Sequence, residues 1–299
     1  MSKSNIELSV IALGGGWQSS ALAVMVANRD PILKMVAQNL DPQIWAVPLW
    51  DMLPTHAIMA DTCAETKATY QHVWTLAEYC EAKGLPVHIW RKRRKVNKHW
   101  QIMDLDADIR SGARMPIPAF SDSYGKMGRT NRDCTRDYKI RALDQYLMWK
   151  LLGRPRKRPT VVKWMGISLE ERVRMNHQAV GVWERLIYPL VLMGMTALDC
   201  LQYLKDHGFK PPEGEDEIPR SACKGCPNRH GRGWLGLKQA GGADWADAIA
   251  WDESLRGMAE RGQAGVKTPL YLHPSLKPLE EAVEAEEAQV GAQGALFDF

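Results

Sequence analysis

Apolar and polar positions divide this chain into alternating strands and helices. Ile6 to Leu13 is an apolar, β-branched run with the composition of a buried strand. Gly14-Gly15-Gly16 interrupts it, and Ser19 to Ala27 then reads as a helix. His56 to Ala60 is a second short apolar strand, followed by Asp61-Thr62. From Glu65 to Lys83 the spacing is helical, with Val73, Leu76, Ala77 and Cys80 on one face and Gly84 as the stop. Leu85 to Trp90 and Val161 to Ile167 are two further strands. Strands separated by helices imply right-handed crossovers and a parallel sheet, so the expected fold class is α/β. Ligands of such sheets sit outside the C-terminal strand ends, where the Gly14 loop and Asp61 fall.

Elsewhere the pattern is less regular. Pro31 to Pro54 takes no clear assignment. Met103 to Met127 is polar and broken by Gly112, Pro116, Pro118 and Gly125, and reads as a long loop or lid. Arg136 to Leu152 returns to helical spacing. A helix from Thr196 to His207 has Thr196 as its N-cap. Lys210 to Pro219 is a loop, Trp234 to Arg261 reads as mostly helical, and Glu280 to Gln289 as an acidic, Ala-rich helix. Gly291 to Phe299 is expected to be a disordered tail.

Composition narrows the class. The 299 residues are 45% hydrophobic and 25% charged, ordinary globular values. No apolar run reaches about 18 residues, so no membrane span is expected. The N-terminus lacks the order of features of a secretory leader, which points to the cytoplasm. There the six Cys are ligands or core residues rather than disulfides. The 12 Trp are expected mostly in the core and at domain contacts. A net charge of +4 permits an anionic partner without requiring one.

Three features carry candidate chemistry. Strand, glycine turn and helix together build an anion site, in which Gly14 to Gly16 allow positive φ and close approach and the first helical N–H groups face a phosphate. Ser19 and Ser20 would cap that helix or add hydroxyl donors. The loop is neither a Walker A motif nor G-x-G-x-x-G, and a glycine turn that binds nothing is the alternative. The second feature is basic: Arg91-Lys92-Arg93-Arg94-Lys95 and Arg154 to Arg158 are either solvated runs or contacts to nucleic-acid phosphates. The third is Cys223-x-x-Cys226, a spacing that lets two thiolates share a metal and that also fits zinc, a redox pair or coincidence. Cys80 and Cys200 read as core.

Four stretches together resemble the adenine nucleotide α-hydrolase superfamily, the PP-loop ATP pyrophosphatases, in its PAPS/APS reductase-like branch. Gly14 to Ser19 resembles the pyrophosphate loop S-G-G-x-D-S, with Gly14 at the first Ser and Gln18 at the Asp. Asp61-Thr62-Cys63 through Thr69-Tyr70 resembles a D-T-G…T-Y segment, with Cys63 at the glycine. Asp133-Cys134-Thr135-Arg136-Asp137-Tyr138-Lys139 resembles C-C-x-x-x-K with one Cys of the pair. Tyr188-Pro189-Leu190 through Cys223-x-x-Cys226-Pro227 resembles the closing segment. The resemblance implies a Rossmann-like sheet of HUP type. It divides the chain into a PP-loop domain over 1–190, a helical region with the C-x-x-C over 191–285 and a flexible tail over 286–299.

It also implies a chemistry. ATP, or alternatively PAPS or APS, would be bound by Gly14, Gly15, Gly16, Gln18, Ser19, Ser20, Asp61 and Thr62. Asp61 would hold Mg²⁺ or the ribose, its alternative being a helix N-cap. Lys139, Arg172 and Arg174 would neutralise developing charge. Cys134, Cys223 and Cys226 would carry a [4Fe–4S] cluster, with zinc as the alternative and His230 or Cys200 as a fourth ligand. No Cys follows Cys226, which favours an ATP-dependent sulfurtransferase acting on a nucleic acid, DNA before tRNA, with a sulfur donor protein. A sulfonucleotide reductase is the alternative. Gln293-Gly294-Ala295-Leu296-Phe297 resembles the Q-x-x-L-F peptide that docks on sliding clamps, so Gln293, Leu296 and Phe297 are candidate anchors. A non-catalytic nucleotide-binding module recruited to the clamp is the third reading.

Overall fold

The computed structural model describes residues 6–40, 49–112, 114–123, 126–153, 160–175, 183–212, 217–229, 231–263 and 265–295. In chain order the elements begin β1 (Ile6–Leu13), α1 (Trp17–Asn28), α2 (Lys34–Asn39), α3 (Leu49–Met52), β2 (His56–Ala60), α4 (Lys67–Glu81) and β3 (Val87–Trp90). They continue with β4 (Arg93–Val96), β5 (His99–Ile102), α5 (Leu105–Arg110), β6 (Phe120–Ser123), β7 (Lys126–Arg129) and α6 (Arg141–Tyr146), the last flanked by wider π-type turns at Thr135–Ile140 and Leu147–Leu151. The remainder is β8 (Thr160–Met165), a 3-10 turn Leu169–Arg174, β9 (Glu184–Ile187), α7 (Pro189–Leu192), α8 (Ala197–Asp206), α9 (Gly231–Ala240), α10 (Gly242–Arg256) and α11 (Leu279–Ala295).

These elements form two compact units. One comprises Met1–Ala60, Ala68–Trp90 and Leu143–Ser221; the other comprises Asp61–Lys67, Arg91–Ala142 and Ala222–Phe299. The first is a Rossmann-like α/β layer. Its five-stranded sheet has the order β3-β2-β1-β8-β9, and every pair is parallel. Successive side chains point to opposite faces, so both faces of a parallel sheet must be covered. Val10, Ile58 and Val161 pack with Leu143 and Leu147. Ile11, Met59, Val162 and Trp164 pack with Leu22 and Met25 of α1, Val73, Leu76, Ala77 and Cys80 of α4, and Cys200 and Leu204 of α8. The helix face read from the sequence is therefore the buried one, and Cys80 and Cys200 are core residues.

The second unit has its own core around Trp234, Trp251, Leu105, Ile109, Leu255 and Leu272. It carries two antiparallel hairpins, β4–β5 and β6–β7. One expectation is corrected. The stretch 103–127 is not a structureless loop. It holds α5, capped by Asp104 accepting from the Ala107 N–H at 3.0 Å, and strand β6. Six residues with only Leu105 and Ile109 buried are too short for a periodic signal. The stretch 234–261 is mostly helical as expected, in two helices separated at Gly241 and Gly242, both at positive φ. Strand β9 was not anticipated, because Glu-Arg-Leu-Ile has no strand alternation. Thr196 is confirmed as an N-cap: its hydroxyl accepts from the Asp199 N–H, and the Asp199 carboxylate accepts from the Thr196 N–H. Among the described residues no helix is long and apolar enough to cross a membrane.

Candidate functional site

The glycine loop lies in the first unit, between the C-terminal end of the central strand β1 and α1. Of the three glycines only Gly15 is at positive φ, +77°, and a Cβ there would meet Val73 and Thr69 of α4 at about 3 Å. Gly16 is the N-cap residue and α1 has no side-chain cap, so Ser19 and Ser20 do not cap it. Ser19 instead stitches the loop, accepting from the Gly14 N–H at 3.0 Å and donating to the Gly16 carbonyl at 3.3 Å. Ser20 is fully buried, with its hydroxyl 2.9 Å from His72 Nε2. The first helical bond is Ser20 N–H to the Gly16 carbonyl, at 3.0 Å. The N–H groups before it have no intrahelical partner, and they make the helix start a donor cluster for an anion.

The end of β8 leads to the same loop. Gly166 abuts Ser19 so closely that a Cβ would fall 2.6 Å from the Ser19 Cα. The 3-10 turn after it carries Arg172 and Arg174, both exposed. Glu171 joins that turn to the loop: it accepts from Gln18 Nε2 at 3.5 Å and pairs with Arg174 at 2.6 Å. Gln18 and Arg174, flagged separately in the sequence, thus meet through Glu171.

Asp61 belongs to the second unit. Its Oδ1 accepts from the Cys63 N–H at 2.8 Å, the hydrogen bond of an Asx turn, and its Oδ2 pairs with Arg91 Nε at 2.6 Å. Cys63 sits at φ 64°, in the left-handed region that favours glycine. Burial, then the Asp61 charge, pushes the Cys63 thiol up to about 12. The Thr62 hydroxyl donates to Glu65 Oε1 at 3.3 Å and lies 3.7 Å from Cys223 Sγ. Thr62 therefore belongs with the cysteines.

Cys134, Cys223 and Cys226 share one core of this unit. Cys134 precedes the π-type turn, with its N–H on the Pro116 carbonyl at 2.6 Å. Cys223 pairs with Glu65 in an isolated β-bridge, and the Lys224 N–H donates to the Ala64 carbonyl at 3.0 Å. A tight turn brings the Cys226 N–H to the Cys223 carbonyl at 3.1 Å, and Gly225 packs on the Trp251 ring where no Cβ would fit. Glu65 Oε1 accepts from the Cys223 thiol at 3.6 Å and pairs with Lys139 at 3.4 Å, while Oε2 is buried without a partner. Glu65 holds the Lys139 ammonium above the usual lysine range, and the two cysteines of the C-x-x-C act in the same direction. Burial, then Glu65, pushes the Cys223 thiol up; burial likewise raises Cys134. Arg229 binds the carbonyls of Ala222 and Cys223 at 3.3 and 3.2 Å, and burial lowers its guanidinium.

Three soft donors with two flanking cations suit a thiolate-bound metal centre, because the cations offset the charge that metal binding creates. Among the described residues no three His, Cys, Asp or Glu side chains stand close enough to hold a metal ion as they are. Glu65 and Arg229 were not anticipated, since a single charged residue leaves no periodic trace. The second basic run at 154–158, His230, Leu296 and Phe297 lie outside the described residues; of Gln293 only its backbone, in α11, is described. Comparison with family models, curated proteins and solved structures finds no match to this chain.

Proposed function

We propose that the chain is a PP-loop-type adenylating sulfurtransferase, with an adenine nucleotide at the Gly14 loop, sulfur handled at Cys134, Cys223 and Cys226, and a nucleic acid as acceptor. The observation that carries this reading is the thiol centre: Cys134 and the C-x-x-C, far apart in sequence, lie in one core with Lys139 and Arg229 beside them. The order of motifs resembling PP-loop enzymes supports it.

In this reading the N–H groups of Gly15 to Ser19 bind the leaving pyrophosphate at the positive end of α1. Arg172 and Arg174 add cations from the adjoining turn. An acceptor oxygen bonds to the α-phosphorus as the α–β bond breaks, and a sulfur nucleophile then displaces AMP. A [4Fe–4S] cluster on the three thiols would supply an iron able to carry that sulfur. The thiols would lose their protons on binding it, and Lys139 and Arg229 would balance the resulting charge. Zinc is the alternative occupant.

The test is anaerobic purification with iron, sulfide and zinc analysis. Wild-type protein should carry iron and sulfide in equal amounts with broad visible absorption, and Cys134→Ala should lose both while Cys80→Ala keeps them. Zinc without iron overturns the cluster. One observation favours a second reading, nucleotide binding without turnover: Gln18 stands where the resembling loop has Asp, and it is held by Glu171. Nucleotide binding with no turnover on any acceptor would select it.

A further inference from the structure

The basic run at Arg91 is neither a helix face nor a loop; it enters a two-stranded ribbon. Residues 91–103 hold six cations and no carboxylate. Strands β4 and β5 pair as Arg93↔Ile102, Arg94↔Gln101, Lys95↔Trp100 and Val96↔His99. The Met103 N–H extends the ladder to the Lys92 carbonyl at 2.8 Å. Asn97 and Lys98 close the hairpin with φ of 48° and 69°, both positive as in a type I′ turn.

Residues directly opposite share a face, and neighbours along a strand alternate. Arg93, Lys95, Trp100 and Ile102 therefore occupy one face; Arg94, Val96, His99 and Gln101 occupy the other. The second face is anchored, with Arg94 reaching Asp108 of α5 at 3.4 Å. The first is open to water. Trp100 is 49% and Ile102 48% exposed, and Arg93 and Lys95 are exposed beside them. The Lys95 ammonium lies 5.3 Å from the Trp100 ring centroid, which steadies the indole among the cations.

The charge continues past the ribbon's base. Lys92 shares its surroundings with Arg114, Arg141 and Asp137. Asp137 accepts from Arg114 at 3.0 Å, Arg136 at 3.0 Å and Arg141 at 2.9 Å. Arg136 also pairs with Asp133 at 3.1 Å, so two carboxylates face three guanidiniums and Lys92, which leaves the patch net positive, and all three arginines are partly exposed.

We propose that this ribbon face and the adjoining arginine cluster bind an unpaired nucleic-acid strand, with phosphates on the cations and a base stacked on Trp100. The occupant follows from charge complementarity joined to an exposed indole. An acidic peptide would use the charge but leave the ring without a role, whereas a duplex keeps its bases stacked on each other. The proposal rests on the reading that the acceptor is a nucleic acid, and binding is measured without turnover so that the two fail separately.

The experiment is fluorescence anisotropy with full-length protein, without ATP. The probes are a short mixed-sequence single-stranded DNA, its RNA counterpart, the matching duplex, and poly-glutamate as an acidic competitor. Single strands should bind more tightly than duplex, with the DNA and RNA arms reporting which sugar is preferred. Trp100→Ala should weaken single-strand binding by about tenfold. Lys95→Glu with Lys98→Glu should weaken it further and flatten the salt dependence by about 0.7 in slope per lost phosphate contact. The charge-matched control Lys34→Glu with Lys205→Glu, on α2 and α8, should change neither. Unaltered circular dichroism and melting temperature of the ribbon variants would confirm that they fold.

Binding that Trp100→Ala leaves intact, or that poly-glutamate displaces as readily as DNA, overturns the proposal while leaving the acceptor reading standing. Ribbon-dependent binding with no nucleic-acid-dependent turnover supports the ribbon and rejects the acceptor. Absence of binding by wild-type protein overturns the ribbon outright.

Discussion

His72 shows how a single residue ties the glycine loop to pH. Its Nε2 meets the Ser20 hydroxyl at 2.9 Å, and its ring packs edge-on to Phe209. Burial lowers it from 6.5 to about 4, so at neutral pH it is an uncharged partner for Ser20. Between those values the unfolded chain binds a proton that the fold refuses, and stability falls as the solution is acidified through that window. The full span amounts to about 3 kcal/mol. Urea unfolding at neutral pH and near the lower end of the window should show this loss in wild-type protein and a smaller loss in His72→Gln; equal losses would reject the assignment. The same scale separates the cysteines. Cys63 occupies a left-handed turn, Cys80 and Cys200 fill a core, and Cys134, Cys223 and Cys226 have cations for neighbours. The sequence offered C-x-x-C spacing for two of these six, and Cys134 joined them only through a resemblance.

At the scale of elements, the strands and helices that bury one regular face were legible, because burial is what periodicity reports. Strands β1, β2, β3 and β8 and helices α1, α4 and α8 fall within a few residues of their expected limits. What escaped has another origin. The ribbon β4–β5 hides in a charge run, since neither of its faces is a core face. Strand β9 is an edge strand held by a charge network rather than by alternation. Lys163 of β8, almost fully buried, bonds Asp144 of α6 at 2.6 Å and also bonds Glu184 of β9. It lies over the Trp183 ring as well. Lys163→Met should cost about 3–5 kcal/mol by leaving Glu184 buried without its cation. Replacing both Lys163 and Glu184 by Met should recover much of that loss. A urea midpoint unchanged in Lys163→Met would contradict the network.

For the whole molecule, the α/β class and parallel sheet were readable from order alone, but not the way separate stretches assemble. Residues 61–67, 91–142 and 222–299 form one unit, and only a few resembling motifs hinted that Cys134 and Cys226 are neighbours. Glu65 and Arg229, which bond to the Cys223 thiol and carbonyl, were not singled out as site residues from the sequence. The strand, glycine turn and helix of the Gly14 loop were legible in outline, but not that Ser19 bonds within the loop and Ser20 is buried against His72 instead of capping α1. The proposed function requires this loop to direct cleavage between the α- and β-phosphates of ATP. Its most direct test uses anaerobically prepared protein, sulfide as the sulfur source and ATP labelled at the α-phosphate, with single-stranded DNA, tRNA or no acceptor. AMP and pyrophosphate should form in equal amounts, dependent on nucleic acid and abolished in Gly15→Val. Release of ADP and phosphate, or no turnover with any acceptor, would contradict it.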